Sequence, residues 1–387
     1  MKPRPNPLRL GCGPFCRSTL PRRTAKRGIL VIASRRSTLH NLSAMRSIPP
    51  HPTLSDVARE AGVGTTTVSR VINGGELVSP ETLARVRAAV DRLGFVPNHA
   101  ARILKGKRTR TMGLVIPSIA DSFFASCAEA AQAVARSHGS LLVVTTTSND
   151  PVAEIESLRA LTLHRIEGLM IAPADSTSVA LGEFLHSANV PVVCFDRPIR
   201  HSSAPSVLTD NRKGARLAIE HLIHHGRRRI LCLGGEPNLW TIHERLHGYR
   251  GALAAAGMEP LEEMSVIDHQ SAESAIRRVL ALPTPPDAIF ATKNSATIYA
   301  FETLQRLQIQ IPQEIALIGF DDFELAMTLG ITVVEQAVEE VGRRAAELLF
   351  EQLNGAHNPT MQAGRRVKLT PRLVVRSSCG CSEVESL

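Results

Sequence analysis

Aromatic residues are scarce in this 387-residue sequence: they make up 4% of it, with a single tryptophan. Long apolar runs are missing as well. No stretch of eighteen consecutive apolar residues occurs, so no membrane-spanning helix is expected. Cysteine is sparse and irregular. Seven residues, an odd number without a repeated spacing, do not make a disulfide framework and point to a reducing cytosol. Cys12-x-x-x-Cys16 and Cys379-Gly-Cys381 are close thiols, yet neither has a second pair or clustered histidines beside it in the sequence, so no metal is expected. Gly234-Gly235 is not a phosphate loop, and neither Gly-x-Gly-x-x-Gly nor Gly-x-Ser-x-Gly occurs. These absences argue against an enzyme and against a resident cofactor. The hydrophobic fraction of 43% and the chain length exclude a fibrous or wholly disordered protein and leave room for two or three domains.

Charge is unevenly spread. Residues 1–50 carry 11 Lys/Arg and no acid, and residues 51–110 carry 10 basic and 5 acidic side chains. The remaining 277 residues carry 24 basic and 31 acidic ones. A basic front on an acidic body reads as a nucleic-acid-binding head joined to a separate globular module, or as a solvated basic tail. The first fifty residues are rich in Arg, Pro and Ser, and their only apolar run is Ile29-Leu30-Val31-Ile32-Ala33. That stretch buries too little surface to offset chain entropy and is expected to be disordered. It also mimics a transit peptide. Met45, eight residues before Thr53, is the alternative start of translation.

Residues 51–96 read as three short helices. Thr53 caps the first, Asp56 answers it three positions on, and Leu54, Val57, Ala58 and Ala61 share one face. Gly62-Val63-Gly64 makes a tight turn. Thr65 to Asn73 then forms a second helix with Val68, Val71 and Ile72 inward and Thr65, Thr66, Ser69 and Arg70 outward. Ser79-Pro80-Glu81 opens a third, with Leu83, Val86, Val90 and Leu93 buried and Gly94 closing it. A tight turn before an outward polar helix suits a reader of base edges: arginine bonds guanine bidentately, and threonine offers a hydroxyl and a methyl. A plain three-helix scaffold fits the same pattern.

The run Thr53-Leu54-Ser55-Asp56-Val57-Ala58, then Ala61-Gly62-Val63, then Thr67-Val68-Ser69-Arg70-Val71-Ile72-Asn73, resembles the head of LacI-type transcriptional repressors. Leu93-Gly94-Phe95-Val96-Pro97-Asn98 and Ala101-Arg102-x-Leu104 resemble the same family in order and spacing. The resemblance implies that Thr53, Thr65, Thr66, Thr67, Ser69, Arg70 and Asn73 meet DNA, with Arg70 reading a base. It implies that residues 97–111 are a hinge helix and linker. Asn98, Ala101, Leu104 and Lys105 would lie in the minor groove, with Leu104 wedged between base steps. It further implies a near-palindromic operator, a homodimer, and a bacterial cytoplasmic protein associated with the nucleoid through DNA. No heptad tail follows Arg372–Arg376, so dimers rather than coiled-coil tetramers are expected.

Residues 112–387 alternate apolar runs with amphipathic helical stretches. Strands are expected at 113–116, 141–145, 168–171, 192–195, 229–233, 288–291 and 315–319. Helices between them include 124–137, 154–163, 212–225, 249–256, 272–282 and 297–307. Such alternation means α/β with parallel sheets, and the number of units implies two lobes. The resemblance implies a two-lobed, periplasmic-binding-protein-like α/β body with an effector in the cleft.

Ligands of open α/β sheets lie beyond the carboxyl ends of the strands. There the sequence places Phe123 and Phe124, Asp196 and Arg197, His243 and Arg245, Gln270, Asn294, and Asp322. Asp321 or Asp322 either reaches the cleft or caps the next turn. Asp210-Asn211 is read as a helix cap. By resemblance, the positions of His243, Gln270 and Asn294 more often hold Arg, an aromatic and Asp. Fewer carboxylates beside Arg197 and Lys293 suggest a sugar acid as effector, with a neutral sugar as the alternative.

Overall fold

The computed structural model describes residues 52–73, 78–96, 108–188, 190–200, 202–355 and 364–381. The basic extension 1–50, and Asn98, Ala101, Leu104 and Lys105 of the hinge, lie outside the described residues. The chain divides into two compact units at Pro97–Asn98.

The first unit holds helices α1 (Leu54–Ala61), α2 (Thr65–Ile72) and α3 (Pro80–Leu93). Thr53 and Asp56 form a reciprocal capping box at α1, and Ser79 caps α3 ahead of Pro80. Gly62 ends α1 at φ 63°, a left-handed conformation that glycine adopts without a Cβ penalty. The next residue, Val63, is thereby turned onto a small core of Val57, Ala58, Ala61, Val68, Val86, Ala89 and Phe95.

In the second unit, lobe one is a sheet in the order β11-β5-β4-β3-β1-β2, and lobe two one in the order β12-β10-β9-β8-β6-β7. The lobe-one strands are β1 (Thr111–Ile116), β2 (Leu141–Thr146), β3 (Gly168–Ile171), β4 (Val192–Phe195), β5 (Ser206–Thr209) and β11 (Arg366–Leu369). Those of lobe two are β6 (Ile230–Leu233), β7 (Leu261–Glu263), β8 (Ala288–Ala291), β9 (Ala316–Phe320), β10 (Thr332–Glu335) and β12 (Arg372–Val374). All pairings are parallel except that of β10 with β12. Segments such as Val-Val-Cys-Phe and Ala-Ile-Phe-Ala are buried along their whole length, as in strands covered on both faces by helices.

The covering helices are α4 (Ser122–Ser137), α5 (Pro151–Leu163), α6 (Val179–Ala188), α7 (Asn211–His224), α8 (Trp240–Ala255), α9 (His269–Leu280), α10 (Asn294–Arg306) and α11 (Val338–Leu353). The chain passes between lobes three times, at 209–211, 335–338 and 369–372. Helix α11 returns to lobe one and packs on α4 so closely that a Cβ at Gly342 would collide with the Cys127 carbonyl.

Strands β5, β7, β10, β11 and β12 were not expected from sequence, and helices α6 and α11 were not individually placed. The strands are three or four residues long, and β11 alternates exposed and half-buried positions at a sheet edge. Among the described residues no helix is long and apolar enough to cross a membrane.

None of the described cysteines is in a disulfide. Burial raises the thiols of Cys127 and Cys232 and pushes that of Cys194 up to about 12, which leaves them inert core side chains. Cys379 differs. Burial alone would raise it, but hydrogen bonds with His221, Thr332 and Cys381 outweigh this and bring it down to about 6. The sequence offered no histidine beside Cys379-Gly-Cys381. The fold supplies one from α7, with His221 Nε2 3.0 Å from Cys381 Sγ.

Candidate functional site

Two sites follow from these elements, one in each unit. In the first unit α2 exposes Thr65, Thr66 and Arg70, with Thr67 and Ser69 half-buried beside Val68. Among the described residues Arg70, Arg85 and Arg87 are exposed cations outside any ion pair, whereas Arg59 pairs with Asp56 and Arg92 with Glu60 at 2.6 Å. Asn73 closes the helix, its Nδ2 donating to the Ser69 carbonyl at 2.6 Å. Thr53 is committed to the α1 cap, with its backbone N–H and hydroxyl both donating to Asp56.

The second site lies at the carboxyl ends of the strands of both lobes. In lobe one, β4 ends in Asp196, held at φ 62°, and Arg197. Both are buried, with Arg197 Nε 3.1 Å from Asp196 Oδ2. Arg197 Nη1 donates to Asn149 Oδ1 at 2.7 Å and to the Pro173 carbonyl at 3.0 Å. Lobe two repeats the device. Arg245, on α8, donates from Nε to Asn211 Oδ1 at 2.7 Å and from Nη1 to the Thr292 carbonyl at 2.6 Å. Its Nη1 also lies 3.4 Å from Asp321 Oδ2, and the guanidinium stacks 3.6 Å from the Phe320 ring centre. Each arginine is thus fixed through Nε and Nη1, and in both the Nη2 group makes no hydrogen bond among the described residues.

The two halves share one electrostatic environment. Burial raises the Asp196 carboxyl above its ordinary value, opposed by Arg197 and by Arg245 of the other lobe. Burial also raises Asp121, which the Asp321 charge lifts further and the Asn294 hydrogen bond and Lys293 lower. Asp121 sits at the start of α4, where its Oδ1 accepts from the Phe123 N–H at 3.1 Å and from Asn294 Nδ2 at 3.3 Å.

Around the group, Thr147, Ser176, Thr209, Thr292 and Gln336 have buried side-chain oxygens without a hydrogen-bond partner among the described residues. All five end or follow strands. A cavity of about 730 Å³ shares Asn149 and Ser176 with the group and runs between residues 174–177 and 236–240. Behind Arg197, Glu154 is buried on α5. Its Oε1 accepts from the Ala174 N–H at 2.7 Å, its Oε2 is unpartnered among the described residues, and burial raises its carboxyl to about 7.

The sequence-expected effector residues divide. Asp196, Arg197, Arg245 and Asn294 belong to the group, and His243 lines the cavity. Phe123 and Phe124 are both packed into the lobe-one core, 5.0 Å apart edge to face. Gln270 is exposed on the first turn of α9 and has no hydrogen bond or ion pair to the group. Asp322 is taken by Arg376 in a two-bond pair at 2.7 and 3.1 Å. The aspartate brought to the cleft is its neighbour Asp321, whose φ of 74° turns it to Arg245 and Gln336. Asp210 caps α7, as read. Sequence reasoning gave no site role to Asp121, Asn149, Asn211, Thr292 or Gln336, although each lies within a few residues of a strand end.

Comparison with known proteins agrees with both units. Residues 53–98 match the model of the bacterial regulatory proteins of the lacI family, and residues 219–379 match a periplasmic binding protein-like domain. The ribose operon repressor of Escherichia coli K12 is 31% identical over 331 residues, covering 84% of this chain and 99% of that protein. A solved structure described as the transcriptional regulator CelR in complex with cellobiose is 32% identical, with a TM-score of 0.64, covering 84% of this chain and 99% of the other. The lac repressor dimer bound to operator and the anti-inducer ONPF shares the fold, with a TM-score of 0.76 at 24% identity over 85% of this chain and 99% of the other. The chain therefore belongs to the LacI family of bacterial regulatory proteins, DNA-binding transcriptional regulators under effector control.

Proposed function

We propose that this chain binds a near-palindromic operator duplex as a homodimer, and that a neutral sugar held between its lobes sets the affinity for DNA. The observation that carries the effector half is the pair of arginines, Arg197 and Arg245, each anchored by two of its nitrogens with Nη2 left unbonded. A sugar hydroxyl both donates and accepts. It therefore suits a site that offers guanidinium donors beside Asp121, Asp196 and Asp321 as acceptors. His243 supplies a further polar group on the cavity wall.

The charge inventory favours the neutral sugar over the sugar acid expected from sequence. Asn294 does remove one carboxylate, but Asp121 and Asp321 add two. Arg197 and Arg245 are already paired with Asp196 and Asp321. With Lys293, whose charge reaches Asp121, three cations face three carboxylates, so the group holds no net positive charge to draw an anion.

On DNA, Thr65, Thr66, Thr67, Ser69, Arg70 and Asn73 of one recognition helix per subunit meet the major groove, and Thr53 meets phosphate. The hinge residues Asn98, Ala101, Leu104 and Lys105 order in the minor groove. The domain limits that go with this are 51–96 for the head, 97–111 for the hinge and 112–387 for the body. No catalytic role is assigned to any residue. The protein works in the cytoplasm, on the nucleoid.

Calorimetric titration of the purified protein with neutral pentoses, hexoses and disaccharides, and in parallel with aldonates, tests the effector class. Saturable binding of a neutral sugar that is lost in Arg245→Met supports the reading. Tight aldonate binding with no neutral-sugar heat overturns it.

A further inference from the structure

We propose that His221, Cys379 and Cys381 form a binding site for a thiophilic divalent cation, zinc foremost, that clips the end of the described chain to helix α7. The three residues are far apart in sequence and meet only in the fold. His221 lies in the last turn of α7, and Cys379 closes a short 3-10 turn, Ser377–Cys379. Cys379 Sγ is 3.2 Å from Cys381 Sγ, Cys381 Sγ is 3.0 Å from His221 Nε2, and all three ligand atoms lie within 4.8 Å of one another.

A tetrahedral zinc site with Zn–S bonds of ~2.3 Å and Zn–N bonds of ~2.0 Å has ligand–ligand edges of about 3.5–3.8 Å. The two spacings of 3.2 and 3.0 Å fall about half an ångström short of those edges, so the side chains must part slightly to admit the ion. Between the cysteines, Gly380 takes φ 89°, a left-handed conformation that lets the chain double back and set both sulfurs beside the same imidazole.

The surroundings suit a cation. The site stands at the carboxyl-terminal end of α7, where the helix dipole favours positive charge. Two thiolates neutralise a divalent ion, so the loaded site is uncharged and tolerates partial burial. Cys379 is buried and Cys381 half-buried, and a fourth ligand would complete the tetrahedron. None of the other described cysteines falls in such a cluster of ligands. The site lies apart from the cleft residues and stands whatever the effector is. Bridging His221 to Cys379 and Cys381 cross-links two segments of lobe two, so occupancy stabilises that lobe.

The test uses the full-length protein, reduced and stripped with a chelator, then titrated with Co²⁺ and with Zn²⁺. The expected result is a single equivalent bound per chain. Cobalt should show thiolate-to-metal charge-transfer absorption and intense tetrahedral bands, and zinc should raise Tm. Cys381→Ser and His221→Gln should each weaken zinc binding by roughly 100-fold or more. Circular dichroism of the metal-free variants checks that each is folded, and His221→Gln reads the site if Cys381→Ser does not fold. A Cys12→Ser/Cys16→Ser protein should bind as the parent does. Absence of a charge-transfer band overturns the proposal. So does a band that persists in both Cys381→Ser and His221→Gln, or one lost with Cys12 and Cys16.

Discussion

Asn294 of lobe two donates a hydrogen bond to Asp121 of lobe one, with 3.3 Å between Nδ2 and Oδ1. The bond ties the start of α10 to the start of α4 across the cleft, and it falls on a carboxylate that burial and Asp321 already raise. A second carboxylate in place of the amide would turn this bridge into a like-charge contact. Asn294→Asp should therefore lower the Tm of the ligand-free protein more at pH 8 than at pH 5, because protonation relieves the repulsion at the lower pH. Scanning calorimetry at the two pH values checks this, and an equal loss at both would contradict it.

Arg245 is held by Asn211, the Thr292 carbonyl, Asp321 and the face of Phe320. Arg245→Met leaves Asp321 buried opposite an apolar chain and should cost about 3 kcal/mol of stability. Arg245→Lys keeps the charge but cannot reproduce the fork. It should cost less stability yet weaken sugar binding by more than about tenfold, since the unbonded Nη2 donor is gone. Denaturant titration and calorimetry on the two variants separate these effects.

Glu154 carries a pH signature. Its carboxyl is raised from 4.5 to about 7 by burial, so the native state prefers the protonated form. The stabilisation is complete below the unfolded value of 4.5 and is lost as the pH rises through about 7. Glu154→Gln does not titrate and keeps an acceptor for the Ala174 N–H. The variant should gain on the parent across that window by on the order of 2–3 kcal/mol. Urea denaturation from pH 4.5 to pH 8 measures it, and a constant difference between the two proteins would count against the assignment.

Under the proposed DNA-binding mode, separable effects are expected from Arg70 on α2 and Arg85 on α3. Arg70→Ala should weaken binding to a selected duplex by roughly 1–3 kcal/mol and relax the preference at one base position. Arg85→Ala, on α3, should change affinity by a similar small factor for every sequence and reduce its salt dependence. Competition binding against single-base variants of the duplex distinguishes the two patterns.

Strands β3, β4, β6, β8 and β9 were legible because each is a short apolar run, and candidate residues at their ends followed from counting forward; β5 and β10, which lead to Thr209 and Gln336, begin and end on polar residues and were missed. Asp196, Arg197, Arg245 and Asn294 were found in that way. What sequence could not give was direction. Asp321 and Asp322 are adjacent at the end of β9, and only the φ of 74° at Asp321 decides which one faces Arg245 and which pairs with Arg376. Partners set by tertiary structure were equally hidden. Asp121 meets Asn294 across 173 positions, and Cys381 meets His221 across 160. The edge strand Arg366–Leu369 was missed because its residues are exposed or half-buried, so no apolar run marks it.

The most direct measurement is the affinity of the full-length protein for a duplex selected from random DNA. Fluorescence anisotropy would follow it with and without the neutral sugar identified by calorimetry. Coupling between cleft and head should change the dissociation constant at least about fivefold, and Arg245→Met should abolish the change while leaving DNA binding intact. A sugar that saturates the cleft and leaves the affinity for DNA unaltered would contradict effector control through these lobes.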